Sequence, residues 1–391
     1  MTRVIVAPDS FKESLASPEV ADAIARGVRR VLPEAEIFTC PMADGGEGLG
    51  DCLLAALGGE KHFLVVTGSL GQPVTAAWVA LDMQTAVIEM AAASGLALVP
   101  RLARNPLQAT TFGTGELMRA ALDAGYRRII VGVGGSATSD GGTGMAQARG
   151  VRFLDADGRP LPAGVPALLD LAGIDMSGLH PALAEAEVIA ACDVNNPLCG
   201  PTGAAYVYAP QKGAGPEQVA MLDAALARLA LVAAADLGKD LACYPGAGGG
   251  GGMGYGLMTF AGARLVPGLD LVCRLTGFDE LLAAGADLVI TGEGQINEQT
   301  LYGKVPAGIA SRARKHGIPV LALAGSVALP AQVAAQHGID VMASIAPGPI
   351  TLDECMARTT ELLADAAERA LRLIYLFPIR KSSGAARRYP L

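Results

Sequence analysis

Five short clusters in this 391-residue chain combine carboxylates, lysines, hydroxyls and glycines at spacings that could do chemistry. Asp9-Ser10-Phe11-Lys12 and Asp44-Gly45-Gly46-Glu47-Gly48 follow apolar runs, so their carboxylates stand at strand ends, where ligands of open α/β sheets bind. The plainer alternative is that Asp9 and Asp44 cap helices, a common use of Asp in such loops. Gly132 to Gly142 follows the apolar run Ile129 to Val131. Its successive small residues let backbone N–H groups converge on an anion, while Ser136 and Thr138 add hydroxyls. A tight chain reversal is its simpler reading. Asp193, after Val188 to Ala191, is positioned to accept a proton from a substrate hydroxyl, although Cys192 to Leu198 also satisfies an Asx turn into Pro197. Asn195, Asn196, Gln211 and Lys212 follow it. The fifth cluster, Thr291 to Thr300 with Lys304 beyond, follows another buried run and carries Glu293, Asn297 and Gln299; a solvated loop is the alternative.

Some chemistries are excluded. Gly303-Lys304 is followed by Val305 and Gly238-Lys239 by Asp240, so the chain has no phosphate loop of the G-x-x-x-x-G-K-[ST] type. Protein-kinase signatures are missing too. The four histidines stand apart, and His316 and His337, each before a glycine, read as helix-end residues.

Positioning these clusters requires a scaffold. Arg3 to Pro8 reads as a strand. Pro18 to about Leu32 reads as a helix capped by Ser17, with Val20, Ile24, Val28 and Val31 on one face and its charges aligned with the helix dipole. A strand follows at Ile37 to Cys40. The same alternation returns at Asp287 to Thr291, Pro306 to Lys315, Val320 to Ala324 and Val341 to Ile345. Apolar strands alternating with helices argue for a parallel sheet covered on both faces. The middle reads as antiparallel strands, Ala76 to Leu81 and Thr85 to Glu89, with turns around 157–166 and 197–203. The expectation is one discontinuous, doubly wound α/β domain from residues 1–66 and 285–373, a mixed α/β domain inserted at 67–284, and a poorly ordered tail at 374–391. Gly246 to Gly256 suits either a ligand-facing loop or a plain connection.

Composition narrows the partners. A net charge of -8 gives no overall basic field for nucleic acid. The seven cysteines are scattered without a C-x-x-C pair, which fits a reducing compartment. No secretion signal opens the chain, and its longest apolar runs, such as Leu222 to Leu237, carry charges and fall short of the ~20 residues of a membrane span. A cytoplasmic protein without nucleic-acid or membrane partners is expected; monomer and homodimer both stay open.

Taken in order, Ala7 to Ser14, Pro41 to Gly48, Gly132 to Met145, Cys192 to Ala214, Gly246 to Gly256 and Thr291 to Pro306 resemble the signature segments of the bacterial type I glycerate kinases, the kind that yields 2-phosphoglycerate. The resemblance runs to about residue 373. It implies a flavodoxin-like domain built from the two chain ends with a second domain inserted. It further implies phosphorylation of D-glycerate at the 2-hydroxyl, with ATP and Mg²⁺. On that reading Asp193, Lys12 and Asp44 carry the catalysis and Asp9 and Glu293 the metal. Ser10, Ser136, Thr138, Asn195, Asn196, Gln211, Lys212, Asn297, Gln299, Thr300 and Lys304 bind substrate or phosphate. The chain departs from the family at Ser139, where Asn is usual, at Gly249 and Gly250, in the tail, and at Asn297, where Asp is usual.

Alternatives are phosphorylation at the 3-hydroxyl and a catalytically weakened sugar-acid binding protein, for which the lost charge at Asn297 is the support. A dehydrogenase would cite Gly246 to Gly251 as a dinucleotide fingerprint, but a glycine run meets that pattern almost automatically.

Overall fold

The computed structural model describes residues 1–301 and 303–376. In chain order the strands are β1 (Arg3–Val6), β2 (Glu36–Thr39), β3 (Glu60–Thr67), β4 (Pro73–Ala80), β5 (Thr85–Glu89), β6 (Arg128–Gly132), β7 (Arg152–Leu154), β8 (Gly173–Asp175), β9 (Glu187–Ala191), β10 (Arg264–Val266), β11 (Leu288–Ile296), β12 (Val320–Val327) and β13 (Val341–Ser344). The chain divides into two compact units. One comprises Met1–Cys40 and the segments opening at Leu281 and Pro306; the other comprises Pro41–Glu280 with Gly303–Val305.

In the first unit a five-stranded sheet runs β13-β12-β11-β1-β2, and every neighbouring pair is parallel. The apolar stripe Val20, Ile24 and Val28 of the helix Ser17–Val31 packs with Val4, Val6, Ile290, Leu321 and Leu323, and with Leu363, Ala367 and Leu371 of the helix Thr359–Leu376. Those two helices approach backbone to backbone at Gly27, where a Cβ would stand 2.2 Å from the Ala364 carbonyl oxygen. Ser17 is the first helical residue rather than the cap: Ala16 caps the helix, and Glu19 reaches back to accept its N–H at 3.2 Å.

The second unit holds a six-stranded mixed sheet, β10-β9-β6-β5-β4-β3, and a small ribbon of β7 and β8. Four strands, β10 to β5 in that order, run parallel, while β4 pairs antiparallel with both β5 and β3. The helix Pro216–Leu237 is 22 residues long, more than the sequence reading allowed, and it meets the length and apolarity of a membrane span. Its Leu222, Leu226, Leu229 and Ala233 are buried against protein, in the apolar clusters around Phe153, Tyr255 and Ala205.

Three further sequence expectations change. The first unit ends at Cys40 rather than near 66, because β3 pairs along its whole length with β4, from Glu60↔Ala80 to Thr67↔Pro73. Residues 292–296 are strand rather than loop. There β11 continues beside β12 with Glu293↔Ala324 and Gln295↔Ser326, and Gly292 admits the Leu323 carbonyl oxygen to 2.3 Å of where a Cβ would be. Residues 374–376 belong to the last helix, and the rest of the expected tail lies outside the described residues.

Candidate functional site

In the second unit the parallel strands end together, so the segments following β5, β6, β9 and β10 gather at one sheet edge. Asp193 lies two residues past β9. Its Oδ1 accepts the Gly268 N–H at 2.9 Å, at the start of the helix Gly268–Leu275, whereas its Oδ2 is buried with no hydrogen-bond partner among the described residues. Burial, reinforced by the charges of Asp44 and Asp270 and opposed by the Gly268 and Leu269 N–H groups, pushes the Asp193 carboxyl up to about 7. A carboxylate with one oxygen fixed and the other unsatisfied is built to take a proton near neutral pH.

Asp44 belongs to a loop pressed onto the same edge. Its Oδ1 accepts the Gly46 N–H at 3.2 Å, and a Cβ at Gly268 would stand 2.4 Å from the Asp44 carbonyl oxygen. Likewise a Cβ at Gly134 would stand 2.5 Å from Gly46 Cα. The loops after β2, β6 and β10 are thus packed backbone to backbone, and side chains at these glycines would force them apart.

The 132–142 segment encloses a buried cation. Lys212 is 1% exposed, and its Nζ donates to Ser136 Oγ at 2.7 Å and to the Thr138 carbonyl. Burial pushes its ammonium down to about 7, with Asp140 opposing the shift. Thr138 Oγ1 and Ser139 Oγ are buried without partners. Lys212 therefore pins the cradle from within, rather than reaching outward as the sequence suggested. The run Gly250, Gly251 and Gly252 has left-handed backbone, and a Cβ at Gly251 would stand 2.0 Å from the Thr138 carbonyl oxygen. The glycine run is thus a buried turn packed on the cradle.

Two carboxylates, one of them inside the 132–142 segment, have no role assigned by the sequence reading. Buried Asp140 accepts from the Thr111 N–H (2.8 Å) and hydroxyl (2.9 Å) and from the Gly142 (3.1 Å) and Gly144 (3.2 Å) N–H groups. Glu89, the last residue of β5, accepts the Gly48 and Gly50 N–H groups at 2.9 and 2.7 Å. The available signal was an acid ending the buried run Ala86 to Ile88.

The remaining expected residues of this unit differ in exposure. Asn195 and Gln211 are exposed, and Lys304 is half-buried. Asn196 is committed to its own turn, its Nδ2 donating to the Thr202 carbonyl at 2.8 Å and its Oδ1 accepting the Tyr208 hydroxyl at 2.7 Å.

In the first unit the Asp9 N–H donates to the Gly292 carbonyl at 2.8 Å, which sets Asp9 across from the Gly292–Glu293 segment. The two carboxylates are 6% and 5% exposed. Ser10 donates its N–H to Asp9 Oδ1 at 2.7 Å, and the Thr300 hydroxyl donates to Glu293 Oε1 at 2.5 Å. Asn297 closes a turn: its Oδ1 accepts the Gln299 N–H at 2.9 Å, and its N–H donates to Thr300 Oγ1 at 3.1 Å. Lys12 is exposed and precedes Glu13, which at φ 63° is the one non-glycine residue with left-handed backbone among those described.

Residues 4–375 match the sequence model of the Glycerate kinase family. The chain is 49% identical over 368 residues to the glycerate kinase of Halalkalibacterium halodurans, covering 94% of this chain and 97% of that one. It is 46% identical over 353 residues to the glycerate 2-kinase of Escherichia coli K12, covering 90% and 92%. The crystal structure of a Salmonella typhimurium LT2 protein assigned as glycerate kinase 2 superposes with a TM-score of 0.85 at 44% identity, covering 96% of this chain and 98% of that one. The chain belongs to the glycerate kinase family.

Within a glycerate kinase, the Asn297 difference is mild on this geometry. An aspartate would accept the Gln299 N–H equally well, so Asn297→Asp is expected to change kcat by less than about twofold at saturating Mg²⁺, since the turn, not the charge, is what position 297 supplies. A Mg²⁺ titration of both forms checks this; a natural protein inactive at every Mg²⁺ concentration and rescued by Asn297→Asp would contradict it. The donor set of Asp9 and Glu293 fits a hard cation, because Mg²⁺ in nucleotide sites takes one or two carboxylates with waters and phosphates. Among the described residues no group of three or more His, Cys, Asp or Glu side chains is gathered for a metal.

Proposed function

We propose that this chain transfers the γ-phosphoryl group of ATP to the 2-hydroxyl of D-glycerate, giving 2-phosphoglycerate and ADP. Its membership of the glycerate kinase family supports the reaction class, and the E. coli relative named glycerate 2-kinase supports the position. The observation that carries the mechanism is the buried, unpartnered Oδ2 of Asp193.

Phosphoryl transfer asks a protein for positioning and charge stabilisation more than for covalent help. Asp193 takes the proton of the glycerate hydroxyl as its oxygen bonds to the γ-phosphorus, while the bond from that phosphorus to the bridging oxygen breaks and ADP leaves. Its raised pKa suits this role, since a base near 7 accepts a proton readily and is about half ionised at neutral pH. Asp44 lies near enough to help raise the Asp193 carboxyl. The N–H groups and hydroxyls of 132–142, held by Lys212 and Asp140, form the anion-binding backbone. Lys12 and Lys304 supply positive charge to phosphate or to the glycerate carboxylate. Asp9 and Glu293 would hold Mg²⁺, which supplies charge neutralisation on the phosphates.

The first unit is read as flavodoxin-like, with the second unit inserted in it. Numbered within its own sheet, the strand order is two-one-three-four-five, as in that fold. We read the protein as cytoplasmic, in keeping with seven cysteines among which no disulfide forms.

Proton-coupled phosphorus NMR of the product tests the position. The 2-phosphate couples to a single carbon-bound proton and gives a doublet, the expected result. A triplet, from the two protons of the 3-carbon, would move the reaction to the 3-hydroxyl.

A further inference from the structure

Glu89 is a half-buried carboxylate at the end of β5, beside Gly132, where the cradle begins. Its two oxygens are spent on backbone amides of a different segment, Oε2 on Gly48 at 2.9 Å and Oε1 on Gly50 at 2.7 Å. Gly48 has left-handed backbone at φ 91° and directly precedes the helix Leu49–Leu57, so these amides are among the donors that a helix start leaves unpaired. The clamp fits closely: a Cβ at Gly50 would stand 3.1 Å from Glu89 Oε1 and 3.1 Å from Val79 Cγ2. Charges around Glu89 oppose it. Glu47 and Asp51 repel its carboxylate, although Lys61 pairs with Asp51. Burial of an acid among acids costs free energy, which the two amide bonds offset in part.

What the clamp holds is the loop carrying Asp44. That loop lies against Gly268, and the Gly268 N–H holds Asp193. We propose that Glu89 is a positioning residue of this kinase: it fixes the Gly48–Gly50 segment and thereby where Asp44 stands beside Asp193, without itself touching substrate. The inference rests on the reading of Asp193 and Asp44 given above.

Glu89→Gln is the discriminating variant, because its amide nitrogen faces one of the two N–H groups and leaves that donor without an acceptor. Relative to the natural protein, kcat falls about ten- to hundredfold, the size that a misplaced catalytic group costs, with KM for ATP within about twofold. Hydrogen–deuterium exchange quickens over residues 44–50. The loss is not additive with Asp44→Asn: the double variant is no slower than Asp44→Asn alone within about twofold, as expected of two residues acting through one group. Natural kcat and unchanged exchange in Glu89→Gln would overturn the proposal, and so would fully additive losses. Should Glu89→Gln not fold, Gly50→Ala, whose methyl group presses on Oε1, gives the same pattern with a smaller loss; natural kcat there overturns the proposal as well. Natural turnover in Asp193→Asn is a different failure, one that removes the base itself, and it is recognisable because exchange at 44–50 still responds to Glu89→Gln.

Discussion

Replacing Asp193 by Asn is expected to lower kcat at least ~100-fold, the usual cost of losing a general base, while KM for ATP changes little. The amide keeps the Gly268 N–H bond if its oxygen faces that donor, so the geometry survives while the proton acceptor is lost. In the natural protein, activity should fall as pH drops through about 7, because the protonated carboxyl cannot accept the hydroxyl proton. The stability consequence has the opposite sense. A carboxyl raised from an ordinary 3.8 to about 7 favours the folded state while protonated, and that contribution is lost as pH rises through this window. Asp193→Asn should therefore be more stable than the natural protein at pH 8, with the difference shrinking toward pH 5. Thermal melts at the two pH values, run beside the kinetics, check both halves. Near-natural turnover in the folded variant would move the base elsewhere, with Asp44 next in line.

Lys212→Met is the second large effect, expected to cost about 100-fold in kcat/KM, comparable to losing a preorganised anion donor. Methionine fills the volume but leaves the Thr138 carbonyl and the Ser136 hydroxyl without their ammonium partner, so the 132–142 segment loses its internal pin. Stability should behave differently from activity. An ammonium depressed from 10.5 to about 7 is charged in the unfolded chain and neutral in the folded one between those values, so the unfolded chain binds more protons there. The natural protein should thus gain stability relative to Lys212→Met as pH rises from about 7 to 10, and the gap should be flat below 7. Urea titrations across that range measure it. Unchanged kcat/KM in the variant would show that the pin is dispensable for catalysis.

Much of this scaffold is written locally. The Val20, Ile24 and Val28 periodicity is visible in the sequence because a helix needs only its own face to declare itself. The place of Asp193 just past a strand end could be read for the same reason, since a carboxylate directly after an apolar strand is a local signal. Glu89 and Asp140 could not. Glu89 serves backbone N–H groups 39 and 41 residues away, and Asp140 reaches Thr111, 29 residues away, besides its near neighbours Gly142 and Gly144; a distant backbone amide leaves no mark on the sequence. The inward course of Lys212 depends on Ser136 and Thr138, 76 and 74 residues distant, so a lysine beside glycines looked like an outward phosphate ligand. The unit boundary was missed because β3 is half-exposed and weakly patterned, and only its pairing with β4 assigns it to the second sheet.

The account stands most directly on the acceptor dependence of phosphoryl transfer. The decisive measurement is ADP release from ATP and Mg²⁺ with and without D-glycerate, for the natural protein and Asp193→Asn side by side. The prediction is release that requires D-glycerate, saturates with it, and falls at least ~100-fold in the variant. ADP release indifferent to D-glycerate, or equal in the two proteins, would contradict it.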